Sequence, residues 1–186
     1  MKALLLILLS FSLMAAKRSA PDFQINKKLK LSDLKNETIV LEWFNKDCPF
    51  VKKHYKSNNM QALKKKYKAK GIKWVSIISS ASGKQGHLKQ TELENFIKKN
   101  NFVSDHLVLD ESGEIGKAYQ AKTTPHMFII KSNQIIYEGA IDDHPSADPS
   151  DIPLSKNYVA STLDALLKTK TVAYSKTKAY GCSVKY

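Results

Sequence analysis

The chain has 186 residues and a formal net charge of +13, with 30 Lys plus Arg against 17 Asp plus Glu. That length supports one domain with a real hydrophobic core. The charge is almost all lysine, scattered along the chain, and Arg18 is the only arginine. This argues against a nucleic-acid reader, because arginine supplies the bidentate contacts that read bases and phosphates.

Met1 to Ala16 has the layout of a secretory signal peptide: Lys2, an apolar run from Ala3 to Met14, then Ala15-Ala16. It is too short for a membrane span, and no cysteine follows it to carry a lipid. The mature protein is therefore expected to be periplasmic or secreted and not membrane-anchored. Residues 17–170 are read as one domain and 171–186 as a polar tail.

Asp22 to Asn36 is polar and broken, without clear periodicity. Glu37 to Phe44 reads as a first core strand. Pro49 to Lys70 is helical in pattern, interrupted at Ser57-Asn58-Asn59, residues that compete with the backbone for hydrogen bonds. Gly71 ends that helix, and Ile72 to Ile78 is a second strand. A loop from Ser79 to His87 precedes a helix over Thr91 to Asn100. Leu107 to Leu109 is a short strand closed by the turn Asp110-Glu111-Ser112-Gly113.

A short helix is predicted over Ile115 to Tyr119. Thr123-Thr124-Pro125 then leads into a strand, His126 to Ile130. Ser132-Asn133-Gln134 turns it back into Ile135 to Tyr137. Asp142 to Pro153, with three prolines and four aspartates, reads as an irregular loop. Asn157 to Lys168 is a last amphipathic helix. Alternating strand–helix units that end in a hairpin argue for an α/β sandwich with a central mixed sheet.

Ile39 to Tyr55 carries the chemistry. An apolar strand stops at Asp47-Cys48-Pro49, and a helix opens on the proline. A cysteine at a helix N-terminus is favoured as the thiolate, the nucleophilic form. The other reading of Cys48 is a buried small hydrophobe. The second cysteine, Cys182, lies in the tail. In an oxidising compartment it is either a structural staple or the partner that resolves Cys48.

The order of these pieces resembles a known family. Leu41-Glu42-Trp43-Phe44-Asn45-Lys46-Asp47-Cys48 looks like the strand-to-cysteine element of thioredoxin-like proteins, and Thr123-Thr124-Pro125-His126-Met127-Phe128 like their cis-proline strand. Tyr137 to Asp143, the last helix and the ending Tyr180-Gly181-Cys182-Ser183-Val184-Lys185-Tyr186 resemble an exported branch of redoxins. These are relatives of the alkyl hydroperoxide reductase and thiol-specific antioxidant superfamily. The resemblance implies a thioredoxin-like three-layer sandwich, with helices flanking a central mixed β-sheet, and an oxidoreductase or antioxidant acting through Cys48.

It further implies a cis Pro125 against the sulfur, with Thr124, Pro49 and His126 around a substrate edge. Glu42 is placed as a buried acid, raised by burial, that moves the thiol proton. The implied partners are a peroxide or a thiol–disulfide substrate and an external thiol reductant. Two departures matter. Val51 stands where thioredoxins carry a second cysteine. Asn45 and Leu41 stand where peroxiredoxins carry a hydroxyl residue and a proline, and no arginine is near, although Lys46 or Lys52 supplies charge.

Cys48, His54 and His126 are the residues to consider for copper or zinc. Copper-binding relatives use two cysteines a helical turn apart, so neither a metal nor a cofactor is expected. The alternative function is a redox-inactive binding module that presents the Pro125 edge, or a metal, to a partner.

Overall fold

The computed structural model describes residues 18–186, so the signal-peptide reading lies outside the described residues. In chain order the elements are β1 (Gln24–Asn26), β2 (Leu29–Lys30), β3 (Thr38–Trp43), α1 (Pro49–Lys56), α2 (Asn59–Lys68) and β4 (Lys73–Ile78). They continue as α3 (Leu93–Lys99), β5 (His106–Leu109), α4 (Glu114–Tyr119), β6 (Thr123–Thr124), β7 (His126–Lys131), β8 (Gln134–Gly139), α5 (Tyr158–Leu167) and β9 (Cys182–Ser183).

Five strands make the main sheet in the order β5-β4-β3-β7-β8. β3, β4 and β5 run parallel, and β7 and β8 join antiparallel. β3 is central, and its residues from Ile39 to Trp43 are all buried, as a strand covered on both faces requires.

Ile39, Leu41 and Trp43 face a cluster with Ile25, Leu31, Tyr119 and Phe128. Val40 faces the opposite layer, built from Met60, Leu63 and Tyr67 of α2 and from Val159 and Leu163 of α5. A third cluster joins Phe44, Cys48 and Val51 to Phe102, with Phe96 of α3 packed against it. The result is the three-layer α/β sandwich with a mixed central sheet.

The break between the first two helices falls at Asn58, which adopts a left-handed conformation with φ 62°. Three segments differ from the sequence expectation. The leading polar stretch forms the β1–β2 hairpin and a 3-10 turn, Leu31–Leu34, because Ile25 and Leu31 are buried under the sheet. The aspartate- and proline-rich loop contains a 3-10 helix, Pro149–Leu154, capped by the Asp148 side chain. The tail, read in sequence only as polar, folds back along the domain. It pairs through β9 with β6 and bridges Lys176 to Glu138 and Lys185 to Ser80.

Candidate active site around Cys48 and Cys182

β3 ends at Trp43, and the turn that follows brings Cys48 to the N-cap of α1 with Pro49 in the first turn. Asn45 shapes that turn: its side chain accepts from the Asp47 N–H at 2.9 Å and donates to the Gln85 carbonyl at 3.2 Å. Cys48 is fully buried. As a thiol it donates to the Thr124 carbonyl at 3.1 Å, and its sulfur lies 2.7 Å from the sulfur of Cys182. Both cysteines are free thiols.

The Thr124–Pro125 peptide is cis. Thr124 pairs with Cys182 across the β6–β9 ladder, and its hydroxyl donates to the Cys182 carbonyl at 3.5 Å. Cys48, Pro49, Thr124, Pro125 and Cys182, separated by as many as 134 positions in sequence, therefore meet at one place.

The two thiols are unequal. Burial pushes the Cys48 thiol up, but hydrogen bonds from Cys182, the Thr124 side chain and the Val51 N–H outweigh it, and the net shift is downward. Burial and the neighbouring Cys48 push Cys182 up to about 11. Of the pair, Cys48 ionises first and Cys182 stays protonated as its donor.

Glu42 is buried, as expected, but its surroundings reverse the expected shift. Burial raises the carboxyl, and Lys64 at 2.8 Å, with donors from Ser76 and Tyr55, holds it below the ordinary range. Its four partners are Lys64, Trp74 Nε1 at 3.0 Å, Ser76 at 2.8 Å and the Tyr55 hydroxyl at 2.8 Å; the Cys48 sulfur is not among them. Lys64 is itself buried.

His126 accepts from the Lys122 N–H at 3.3 Å and packs on Phe128 at 4.5 Å. It lines a cavity of about 550 Å³ with Lys122, Glu138 and Lys176, a lining that includes neither cysteine. His54 is buried against Asn59 and lies 3.8 Å from the Asp142 carboxylate. Among the described residues, no group of three or more His, Cys, Asp or Glu side chains is placed to hold a metal ion.

His54 and His126 carry a stability prediction. Burial depresses both imidazoles to about 4 from an ordinary 6.5. Between those values the unfolded chain binds more protons than the folded one. Stability is therefore complete above pH 6.5 and falls as the pH drops toward 4, by up to about 3 kcal/mol per group. Urea midpoints measured from pH 7 to pH 4.5 should decline accordingly, and His54→Gln should flatten part of the slope. A midpoint that stays constant over this range would rule the reading out.

Residues 16–138 match the AhpC/TSA family. The chain belongs to that family. No curated protein sequence matches it at a significant level. Among solved structures, it is similar to an uncharacterized conserved protein from Geobacillus kaustophilus (24% identity, 94% of each chain covered, TM-score 0.75). A hypothetical protein from Sinorhizobium meliloti is similar at 21% identity, covering 93% of this chain and 95% of that one, with TM-score 0.73. A structure described as a thiol:disulfide interchange protein DsbE from Chlorobium tepidum matches at 24% identity over 66% of this chain and 82% of that one, with TM-score 0.51. These likenesses establish the thioredoxin-like fold.

Within this AhpC/TSA-family chain, the departures noted in sequence have physical counterparts. Val51 is buried in the cluster around Cys48, so no second thiol stands one helical turn away. Arg18, the single arginine, is held by Glu138 at 2.7 Å and the Tyr119 carbonyl at 3.3 Å. Lys46 pairs with Asp47 at 2.7 Å.

Proposed function

We propose that the protein is an exported thiol–disulfide oxidoreductase that works with Cys48 as nucleophile and Cys182 as resolving thiol. The observation that carries this reading is the 2.7 Å approach of the two sulfurs, with Cys48 the more acidic of the two. The Cys48 thiolate attacks one sulfur of a substrate disulfide, a mixed disulfide forms, and the other substrate sulfur leaves as a thiol. Cys182, having lost its proton, then attacks the Cys48 sulfur and releases the second substrate thiol. The protein ends with a Cys48–Cys182 bond, two electrons poorer, and the substrate disulfide is reduced. An external thiol reductant resets the pair.

Disulfide is favoured over peroxide as the oxidant because the only arginine is committed to Glu138 and Tyr119, leaving no guanidinium to hold a peroxide beside the thiolate. The apolar leader supports export to a compartment where such a pair meets oxidised substrates.

Peptide mapping without reductant tests the proposal. The reduced protein is treated with 2-hydroxyethyl disulfide or with hydrogen peroxide. A Cys48–Cys182 bond that forms with the disulfide and opens again in excess dithiothreitol is expected. Two thiols that stay free, or a bond that resists mild reductant, would overturn the pair as a catalytic unit. Faster oxidation of Cys48 to a sulfenic acid by peroxide would move the activity to peroxide reduction.

A further inference from the structure

The site described above is closed by the chain itself. From Ser175 onward the tail crosses the domain through a series of clasps. The Glu138 N–H donates to the Ser175 carbonyl at 3.0 Å, and the Ala140 N–H to the Thr177 hydroxyl at 3.0 Å. The Tyr180 hydroxyl donates to the buried Asp142 carboxylate, and its ring meets Phe50 edge-on at 5.9 Å. Beyond Cys182, the Val184 N–H donates to the Lys122 carbonyl at 3.1 Å, and the Tyr186 hydroxyl to the Ala121 carbonyl at 2.8 Å.

Between those clasps, Cys182 and Ser183 pair antiparallel with Thr124 and Thr123, so the β6 edge is filled. Gly181 makes the approach possible. Its φ is +129°, and a Cβ there would stand 2.1 Å from the Thr124 carbonyl oxygen, closer than any real contact. The strand lies where its one cysteine meets Cys48, and beneath it Cys48 is fully buried.

We propose that Tyr180–Ser183 is a self-inhibitory cover: it occupies the β6 edge that the resemblance to thioredoxin-like proteins assigns to substrate, and an extended, cysteine-bearing polypeptide strand must displace it to reach Cys48. This inference rests on the Cys48–Cys182 exchange proposed above and adds to it a competition between the chain's own tail and a polypeptide disulfide. Main-chain pairing supplies the affinity, as in other cases of strand addition to a sheet edge. The tail must lift for Cys48 to attack. When it returns, Cys182 attacks the Cys48 sulfur, the bond to the substrate sulfur breaks, and the substrate leaves as a thiolate while its strand is displaced. One movement thus completes both the thiol exchange and product release.

Gly181 provides the test, because a side chain there pries the tail off the edge without replacing a buried residue of any core cluster. In a Cys182→Ser background only Cys48 is available. Adding Gly181→Val should accelerate its alkylation by iodoacetamide at least tenfold, with an unchanged circular dichroism spectrum. Tyr186→Ala, which frees the tail from its last clasp, should act in the same direction and serves as the second variant. Equal alkylation rates in all three proteins would overturn the tail as a cover.

The same Gly181→Val/Cys182→Ser protein is then mixed with the peptide Ala-Tyr-Gly-Cys-Ser-Val-Lys-Tyr carrying its cysteine as a mixed disulfide with thionitrobenzoate. The comparison is the same disulfide on N-acetylcysteine. Attack by Cys48 on the cysteine sulfur releases the nitrobenzoate thiolate, and the peptide should react at least tenfold faster. Equal rates would overturn strand recognition while leaving the redox pair intact. Failure of Cys48 to react with either disulfide would instead overturn the redox reading itself.

Discussion

Replacing Cys48 with serine is expected to abolish disulfide turnover, lowering the rate at least about 10³-fold, while Cys182→Ser stops the cycle one step later. The difference follows from the site. The thiolate is the attacking form, and at Cys48 it is supported by donors from the Cys182 thiol, the Thr124 side chain and the Val51 N–H. A serine hydroxyl stays protonated at neutral pH and does not attack a disulfide. Cys182 is pushed up to about 11 and is a poor first nucleophile, so it does not substitute for Cys48. It needs only to be near when the mixed disulfide forms, and at 2.7 Å it is.

Cys182→Ser protein should therefore release the first substrate thiol normally and then accumulate a mixed disulfide on Cys48, visible as an added mass. Turnover in that variant returns only when external thiol is supplied in excess. The measurement is thiol release from 2-hydroxyethyl disulfide, with intact-mass analysis of the quenched protein. If Cys48→Ser retains turnover within twofold of the parent, the sulfur is not the catalyst. If Cys182→Ser cycles at the parent rate without added thiol, Cys182 is not the resolving group.

The sheet was legible in the sequence because its strands are short apolar runs bounded by strong turn signals. The stop at Asp47-Cys48-Pro49 and the Thr123-Thr124-Pro125 approach to β7 both stand where residue chemistry placed them. The tail was not legible. Thr169 to Tyr186 contains few large aliphatic residues, and nothing in its periodicity shows that Tyr180 ties to Asp142 or that Gly181 admits a backbone contact at Thr124. Such a segment is held by main-chain pairing and single side-chain clasps, which leave no hydrophobic pattern.

The reading of Glu42 failed differently. Its burial was legible from apolar neighbours, but its charge state depends on Lys64, which the sequence hid in a run of three lysines. The signal was present in the spacing. Met60, Leu63, Lys64 and Tyr67 are buried at helical intervals on α2, so Lys64 occupies an inward position while Lys65 and Lys66 face outward.

Removing Lys64 is accordingly expected to destabilise the fold by about 3–5 kcal/mol, the range for leaving one member of a buried ion pair uncompensated. Lys64 Nζ sits 2.8 Å from Glu42, 2.7 Å from the Tyr55 hydroxyl and 2.8 Å from Ser104, beneath the Phe102 ring at 4.5 Å. Lys64→Ala leaves the Glu42 carboxylate dry and unpaired, and the response to pH should invert. In the parent, the carboxyl lies below its ordinary 4.5, so its contribution is present above that value and is lost as the pH falls through the folded one.

Without Lys64 burial prevails and the folded carboxyl rises above 4.5. Stability is then best in acid and is lost as the pH climbs through the raised value. Urea unfolding of parent and Lys64→Ala at pH 7 and pH 5 reads both the size and the sign, the gap narrowing toward acid. Glu42→Gln/Lys64→Met, which removes both charges and keeps the volume, should recover most of the loss, since a neutral pair carries little desolvation cost. A loss below about 1 kcal/mol in Lys64→Ala would mean that water reaches Glu42 and that the pair does not tie α2 to the sheet.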